Sequence, residues 1–417
     1  MAAISDHWTS FKNLAQDSVP RQRVQHVITT ADFQFLCSVA TQAKKDLEDS
    51  FNPGLHMHND SLSCTIDVDR FTNGMENVVF EIRFPDLESW IARVRLPDET
   101  SEPDIIETSM LSEIATMRFI SARTEIPVPR VYGFDVSGDN PFGFRYIFLQ
   151  TLPGQLLNTT FSESVPVNQQ DKVADQLAKY YFQLSRLRFD RIGRLWSGTL
   201  ADDEVSIIPI SGMRSFATSL EYFYTLRSEE NRAIKAEHSD DMQWITAARI
   251  LEQALTSMIV KDYIYGPFPL CHIDLHYHNI LLDEDFNITG ILDWGGAQTV
   301  PLEQFLISPD FTTFPGLSPE ENAPIIAFRE KFATALRCRE LADSRSVGED
   351  DSLLAPPPIS DLIGTPLWDI VYRCTYSFHW RAMTDAQLVL QHMFKNSEEW
   401  ENYIAFHAPM RLSRPRS

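Results

Sequence analysis

Long apolar runs are missing from this chain: no window approaches the length of a membrane-crossing helix. Cysteine is scarce. Cys37, Cys64, Cys271, Cys338 and Cys374 are scattered, odd in number and without a C-x-x-C pair, which argues against a disulfide framework and for reduced thiols in a cytosolic protein. Basic residues are outnumbered, 36 Lys and Arg against 58 Asp and Glu, leaving a formal net charge of −22. That excess argues against nucleic acid or an anionic membrane as a partner. It is compatible with a cationic substrate, although solubility accounts for it equally well. The opening residues Met1 to His7 have neither a basic head nor an apolar stretch, so no secretory signal is expected there. No internal repeat is visible. What the chain does have is apolar material, 43% of 417 residues, enough for a large core expected to divide into two lobes.

The most informative stretch is Leu270-Cys271-His272-Ile273-Asp274-Leu275-His276-Tyr277-His278-Asn279-Ile280-Leu281-Leu282-Asp283, followed by Ile288-Thr289-Gly290-Ile291-Leu292-Asp293-Trp294. Pro269 to His272 reads as a short strand running into a loop. Asn279 to Leu282 and Thr289 to Leu292 read as the two strands of a hairpin, with turn-forming residues between Asp283 and Ile288. A hairpin closed there carries Asn279 and Asp293 to the same end, with Asp274 on the loop just before. One carboxylate, one amide oxygen and a second carboxylate are what phosphoryl transfer needs. The first accepts the proton of an attacking hydroxyl, and the other two hold magnesium on nucleotide phosphates. Each of these residues alone would be an ordinary acidic or polar surface group. The combination is much harder to reach by chance.

The pattern His272-x-Asp274-x4-Asn279, then Asp293-Trp294, resembles the aminoglycoside phosphotransferase and choline kinase family, the small-molecule branch of the protein-kinase-like superfamily. Protein kinases carry Arg between the His and the Asp, and Asp-Phe-Gly further on. Here Ile273 and Asp293-Trp294-Gly295 stand in those places, both departures toward the small-molecule branch. The resemblance covers about Phe71 to about Phe305. It implies a two-lobed α+β fold, with an antiparallel-sheet N-terminal lobe and a mainly helical C-terminal lobe. The expected division is an extension over 1–60, a nucleotide-binding lobe over 61–152 and a catalytic and substrate lobe over 153–417.

Before the motif, the stretches from Cys64 to Phe71, Val78 to Phe84 and Trp90 to Leu96 alternate like strands. The turn Thr72-Asn73-Gly74-Met75-Glu76-Asn77 holds one glycine. Asn73-Gly74 is a hairpin signal, and Gly74 is also a candidate for phosphate contact. By the resemblance, the third strand carries a cation for the nucleotide phosphates. The chain offers Arg93 and Arg95, which share one face of the strand. Either can grip phosphate in a bidentate manner, and Arg93 overlays the family pattern better. The helix around Met110 to Ile120 repeats Leu111, Ile114, Met117 and Ile120 at helical spacing, and the resemblance makes Glu113 the partner that orients the strand cation. Ile126-Pro127-Val128-Pro129 bars a continued helix. The strand Tyr146 to Gln150 running into Thr151-Leu152-Pro153-Gly154 resembles the interlobe hinge, where the backbone of Gln150 and Leu152 would bond the adenine edge.

Further on, Val173, Leu177, Tyr181, Leu184 and Leu187 form a core stripe, and Asp241 to Val260 reads as a helix. Glu303, Asp310 and Glu320 to Asn322 are candidates for the substrate side. Residues 342–360 read as a surface loop. Trp368, Tyr372, Tyr376, Phe378 and Trp380 form an aromatic cluster that suits a core more often than a pocket. His272 is expected to brace the catalytic loop, and His276 and His278, despite metal-like spacing, to be loop residues. The function expected is ATP-dependent phosphorylation of a small-molecule hydroxyl, with Asp274 as base and Asn279 and Asp293 on magnesium. The alternative is a nucleotide-binding scaffold without turnover. Substrate identity and oligomeric state are not legible.

Overall fold

The computed structural model describes residues 4–51, 63–98, 100–198, 204–210, 212–307, 317–344, 358–363 and 378–393. Its first lobe is a five-stranded antiparallel sheet in the order β1-β2-β3-β5-β4. The strands are β1 (Thr65–Asn73), β2 (Asn77–Arg83), β3 (Ser89–Arg95), β4 (Val131–Asp135) and β5 (Tyr146–Gln150). Side chains alternate across a strand, and this sheet uses both faces. Val78, Phe80 and Ile82 of β2 stand opposite Val94, Ala92 and Trp90 of β3, and all are buried. This face is roofed by the N-terminal extension. Helices α1 (Val19–Thr30) and α2 (Phe33–Phe51) bring Val24, Val27, Leu36 and Ala40 into the same core cluster. Phe33 meets Phe80 edge-on at 5.1 Å, and Lys44 of α2 pairs with Glu88 at 2.9 Å and with Asp86 while lying 4.5 Å from the Phe84 ring.

The opposite face of the sheet carries Ile91, Ile147 and Leu149 toward α3 (Pro103–Arg123). Proline opens this helix, where its missing N–H costs nothing. The buried stripe is Ile106, Met110, Ile114, Met117 and Ile120, so the helix begins two turns earlier than its sequence pattern implies, and Leu111 lies at the stripe's edge. The chain then passes through the proline-containing linker, where Pro127 accepts from Ile291 N at 2.8 Å.

The second lobe is mainly helical. Its centre is α5 (Val167–Arg186), which follows the short α4 (Phe161–Ser164) and packs against α9 (Pro319–Ser344), with Tyr181 edge-on to Phe332 at 5.1 Å. Helices α6 (Ser219–Glu237), α7 (Met242–Met258) and α11 (Ala382–Met393) form a separate cluster around Ile234, Leu251 and Val389. Asp241 caps α7, accepting from Gln243 N at 2.9 Å. Small strands complete the lobe: β6 (Gln155–Leu156), β7 (Arg188–Phe189), β8 (Arg194–Trp196), β9 (Ser206–Ile208), β10 (Phe268–Cys271), β11 (Ile280–Leu282), β12 (Ile288–Ile291) and β13 (Gln298–Thr299). The fold is therefore the two-lobed α+β arrangement expected. Among the described residues, no helix is long and apolar enough to cross a membrane.

Several local expectations are corrected. Of the stretch read as a loop over 342–360, residues 342–344 belong to α9, and residues 345–357 lie outside the described residues. Ile359 and Ser360 open the short helix α10 (Ile359–Ile363), where Glu340 accepts from Ile359 N at 2.6 Å. Trp368, Tyr372 and Tyr376 lie outside the described residues, while Phe378 and Trp380 are exposed and stack on each other rather than entering a core.

Candidate active site

The β11–β12 hairpin forms because Asp283 organises its turn. Its carboxylate accepts from the backbone N–H of Asp285 at 3.0 Å and of Asn287 at 2.8 Å, and Phe286 takes a left-handed conformation, φ 61°. Ile280 pairs with Ile291, and Leu292 N donates to Asn279 O at 2.8 Å. Asn279 and Asp293 thus leave the hairpin at one end, as the spacing requires.

Asp274 is held at that end by the backbone. The Asn279 Nδ2 donates to the Asp274 carbonyl at 2.8 Å, which turns the Asn279 Oδ1 away from that bond and leaves it as an acceptor. The Asp274 side chain itself is 65% exposed, with the His276 Nε2 at 3.4 Å. His276 Nδ1 accepts from His278 N at 3.2 Å, and its Nε2 lies 3.4 Å from both the Asp274 carboxylate and the Asn279 Nδ2. Both histidines are therefore loop residues. Among the described residues, no cluster of three or more His, Cys, Asp or Glu side chains is arranged for a metal.

His272 is buried, and its Nε2 donates to the Leu292 carbonyl at 2.8 Å. Burial holds its pKa below the ordinary histidine range, keeping the ring neutral. It lies edge-on to Trp294, whose Nε1 donates to Ile291 O at 3.0 Å. These bonds tie the Asp274 loop to the Asp293 loop. Ile273 adds to the tie by lying so close to Gly296 that a Cβ there would come within 2.9 Å of its Cδ1. Asp293 itself sits at φ 59°, a conformation that costs a non-glycine residue on the order of 1 kcal/mol or more.

Across the cleft, Arg93 on β3 and Glu113 on α3 form a bidentate ion pair. Nη1 meets Oε1 at 2.6 Å and Nη2 meets Oε2. The two side chains are 13% and 6% exposed. Burial pulls the Arg93 pKa down, but the charge and hydrogen bonds of Glu113 together, with a smaller share from Asp293, outweigh it, so the guanidinium is held firmly protonated. Arg95, on the same strand face, pairs instead with Glu76 in the β1–β2 turn, whose side chain is 63% exposed. Of the two arginines, the structure joins Arg93 to the helix. Gly74 stands in that turn with open space around it, its N–H donating to Asn77 O at 3.0 Å.

At the hinge, the backbone of Gln150 is used on one side only. The Gln150 N–H donates to the Arg130 carbonyl at 2.8 Å, just past the β4–β5 pairing, so any contact of this residue with a base would be through its carbonyl. Leu152 packs on Gly290 of β12, and Gly154 turns the chain at φ 108° beside Leu282 and Thr289, where a side chain would collide. The substrate-side candidates are also corrected. Glu303, on the short helix α8 (Leu302–Phe305), has no exposure and accepts from Val260 N at 2.7 Å. Glu321 and Asn322 serve the start of α9: Ser318 N donates to Glu321 Oε2 at 2.7 Å, and Asn322 bonds back to Leu317 O. Asp310 lies outside the described residues. One charged group near the cleft has no forewarning in the sequence beyond its type: Arg194 of β8, which bonds Ser109 of α3 at 2.9 Å.

Comparison with known proteins places these features in a family. A subtelomeric hrmA-associated cluster protein of Aspergillus fumigatus is 28% identical over 130 residues, 31% of this chain and 25% of that protein. The clavilactone A biosynthesis cluster protein Y of Ampulloclitocybe clavipes is 28% identical over 246 residues, 52% of this chain and 57% of that protein. The chain thus spans about a quarter of the length of the first relative and just over half of the second. The crystal structure of the ADP-bound aminoglycoside phosphotransferase APH(2'')-Ib superposes with a TM-score of 0.46 at 11% identity, covering 87% of this chain and 96% of that one. The model of the phosphotransferase enzyme family matches residues 67–304, more than half of the sequence. The chain belongs to the phosphotransferase enzyme family.

Proposed function

We propose that this protein transfers the γ-phosphoryl group of ATP to a hydroxyl of a small molecule. The observation that carries the proposal is the convergence of Asp274, Asn279 and Asp293 at one end of a hairpin, facing a cation fixed by Glu113. In the reaction, the acceptor oxygen bonds to the γ-phosphorus while the bond from that phosphorus to the β–γ bridging oxygen breaks. ADP leaves, and the acceptor proton passes to the Asp274 carboxylate. Exposure suits Asp274 to this role, since an acceptor can reach it. His276 and the Asn279 amide position the loop. Arg93, kept charged and aimed by Glu113, binds phosphate oxygens.

Magnesium fits the donor set: the Asn279 Oδ1 and the Asp293 carboxylate are two hard oxygen donors. When bound there, it would neutralise charge on the phosphates. The left-handed backbone at Asp293 fits a residue held in place for such work. The carbonyl of Gln150, at the end of β5, and the backbone of Leu152 just past it supply the hinge contacts for the adenine. A cationic acceptor and a cytosolic location belong to the same proposal, resting on the net charge of −22 and on the free thiols of Cys37, Cys64, Cys271 and Cys338.

The test is ADP release from ATP in the presence of a panel of amino alcohols, sugars, aminoglycosides and homoserine. Acceptor-dependent release supports the proposal. Nucleotide binding without any acceptor-dependent release favours the alternative, a scaffold that holds nucleotide without turnover.

A further inference from the structure

A pocket of about 430 Å³ lies between α3 and the β8–β9 hairpin, a volume in the range of small-molecule sites and outside the catalytic constellation. Ile105 of α3, Trp196 of β8 and Ile208 of β9 give it apolar walls. Asp104 and Ser109 of α3, with Arg194 of β8, give it polar ones. Arg194 is the unusual member. Its Nη1 donates to Ser109 Oγ at 2.9 Å, yet its Nε is buried without a hydrogen-bond partner. Among the described residues, no carboxylate forms an ion pair with it within 4.0 Å. A largely buried guanidinium with no carboxylate at ion-pair distance is costly, and the cost falls if an anion is bound beside it. Burial lowers its pKa, opposed by the more distant charges of Glu76 and Glu113.

We propose that this pocket binds a small organic monoanion, with its anionic group on Arg194 and Ser109 and its apolar body against Ile105, Trp196 and Ile208. A single negative charge is specified because Asp104 lines the same pocket and repels a second. The site also communicates with the cleft. Ser109 stands one helical turn before Glu113 on α3, so an anion that draws Arg194 away from Ser109 loosens the hold of β8 on the helix that carries Glu113. This coupling rests on the proposed role of Arg93. The binding itself does not.

The experiment uses 8-anilinonaphthalene-1-sulfonate as the anionic probe and N-phenyl-1-naphthylamine as its uncharged counterpart, each titrated into the full chain by fluorescence. Saturable one-to-one sulfonate binding is expected, weakened about tenfold or more by Arg194→Met, while the uncharged probe is little affected. Ile105→Glu, at a position 42% exposed and so tolerant of charge, brings a carboxylate to the pocket mouth and should weaken the sulfonate equally. It decides the matter if Arg194→Met fails to fold. Saturating sulfonate should change ATP affinity about fivefold in the wild type and not in Arg194→Met. Sulfonate binding that is absent, that both folded variants leave unaltered, or that ATP displaces in simple competition overturns the site. Unchanged ATP affinity at saturating sulfonate overturns the coupling.

Discussion

Arg93 and Glu113, on the sheet side of the cleft, are buried and locked to each other by two hydrogen bonds, whereas Asp274, on the loop side, leaves most of its carboxylate in water. The difference follows from what each side would be asked to do. A phosphate-binding cation gains from being aimed in advance, and burial strengthens its field. A base must meet an acceptor that arrives and departs, so it needs a rigid backbone and a free side chain. The loop supplies this by bonding the Asp274 carbonyl to Asn279 and the Leu292 carbonyl to His272, leaving the carboxylate itself open.

The largest expected effect breaks the loop side alone. Asp274→Asn should lower acceptor-dependent ADP release by about 10²–10⁴-fold, the span of general-base contributions. Thermal stability should be unchanged, because the side chain is exposed and contributes no buried contact. A melting curve run beside the activity assay checks both.

Breaking the sheet side should cost stability as well as activity. Arg93→Ala leaves Glu113 buried and unpaired, and the penalty is about 3–5 kcal/mol in unfolding free energy. Adding Glu113→Ala should recover part of that, since the orphaned charge is gone, and a double-mutant cycle in urea measures the non-additivity. Arg95→Ala is the control. Its partner Glu76 is exposed, so the cost should stay near about 1 kcal/mol. Equal losses for the two arginines would contradict the distinction between them.

Glu303 contrasts with Glu113: it is a buried carboxylate that makes no ion pair among the described residues. Burial pushes its pKa up to about 7. The folded state therefore holds this proton more tightly than the unfolded chain. The stability it contributes is fully present below the ordinary carboxylate pKa of about 4.3 and is lost as pH rises through about 7. Glu303→Gln should abolish that loss, worth up to about 3 kcal/mol between pH 4 and pH 8. Urea unfolding of both proteins across that range would show it, and parallel pH profiles would refute it.

The smallest effect concerns backbone strain. Asp293→Gly should raise unfolding stability by about 1 kcal/mol, because glycine accepts φ 59° without penalty, while removing any magnesium-dependent gain in ATP affinity. Calorimetry with magnesium and with chelator separates the two outcomes.

Much of the loop side was legible, because its residues lie within two dozen positions and the turn chemistry of Asp283 to Asn287 sets the register that joins them. The alternation on β2 and β3 and the stripe on α5 were legible for the same reason: local periodicity writes them. What could not be read depends on distant parts of the chain. Helical segments before residue 52 can be read from local sequence, but their place as the roof of the sheet depends on Phe33 meeting Phe80 and Lys44 meeting Glu88. Glu303 looked available as an acidic group after the motif, and only tertiary packing buries it against Val260. The commitment of the Gln150 N–H to Arg130 depends on how far β4 pairs with β5. Which of Arg93 and Arg95 pairs with the helix depends on the register of α3, which puts Glu113 opposite one and not the other.

The central claim is that the sheet side binds phosphate while the loop side does chemistry. It is tested most directly by measuring the ATP dissociation constant and acceptor-dependent turnover of Asp274→Asn and Arg93→Ala side by side. Asp274→Asn should bind ATP within a few-fold of the wild type yet fail to turn over, whereas Arg93→Ala should lose ATP affinity. Wild-type turnover in Asp274→Asn, or wild-type ATP affinity in Arg93→Ala, would contradict it.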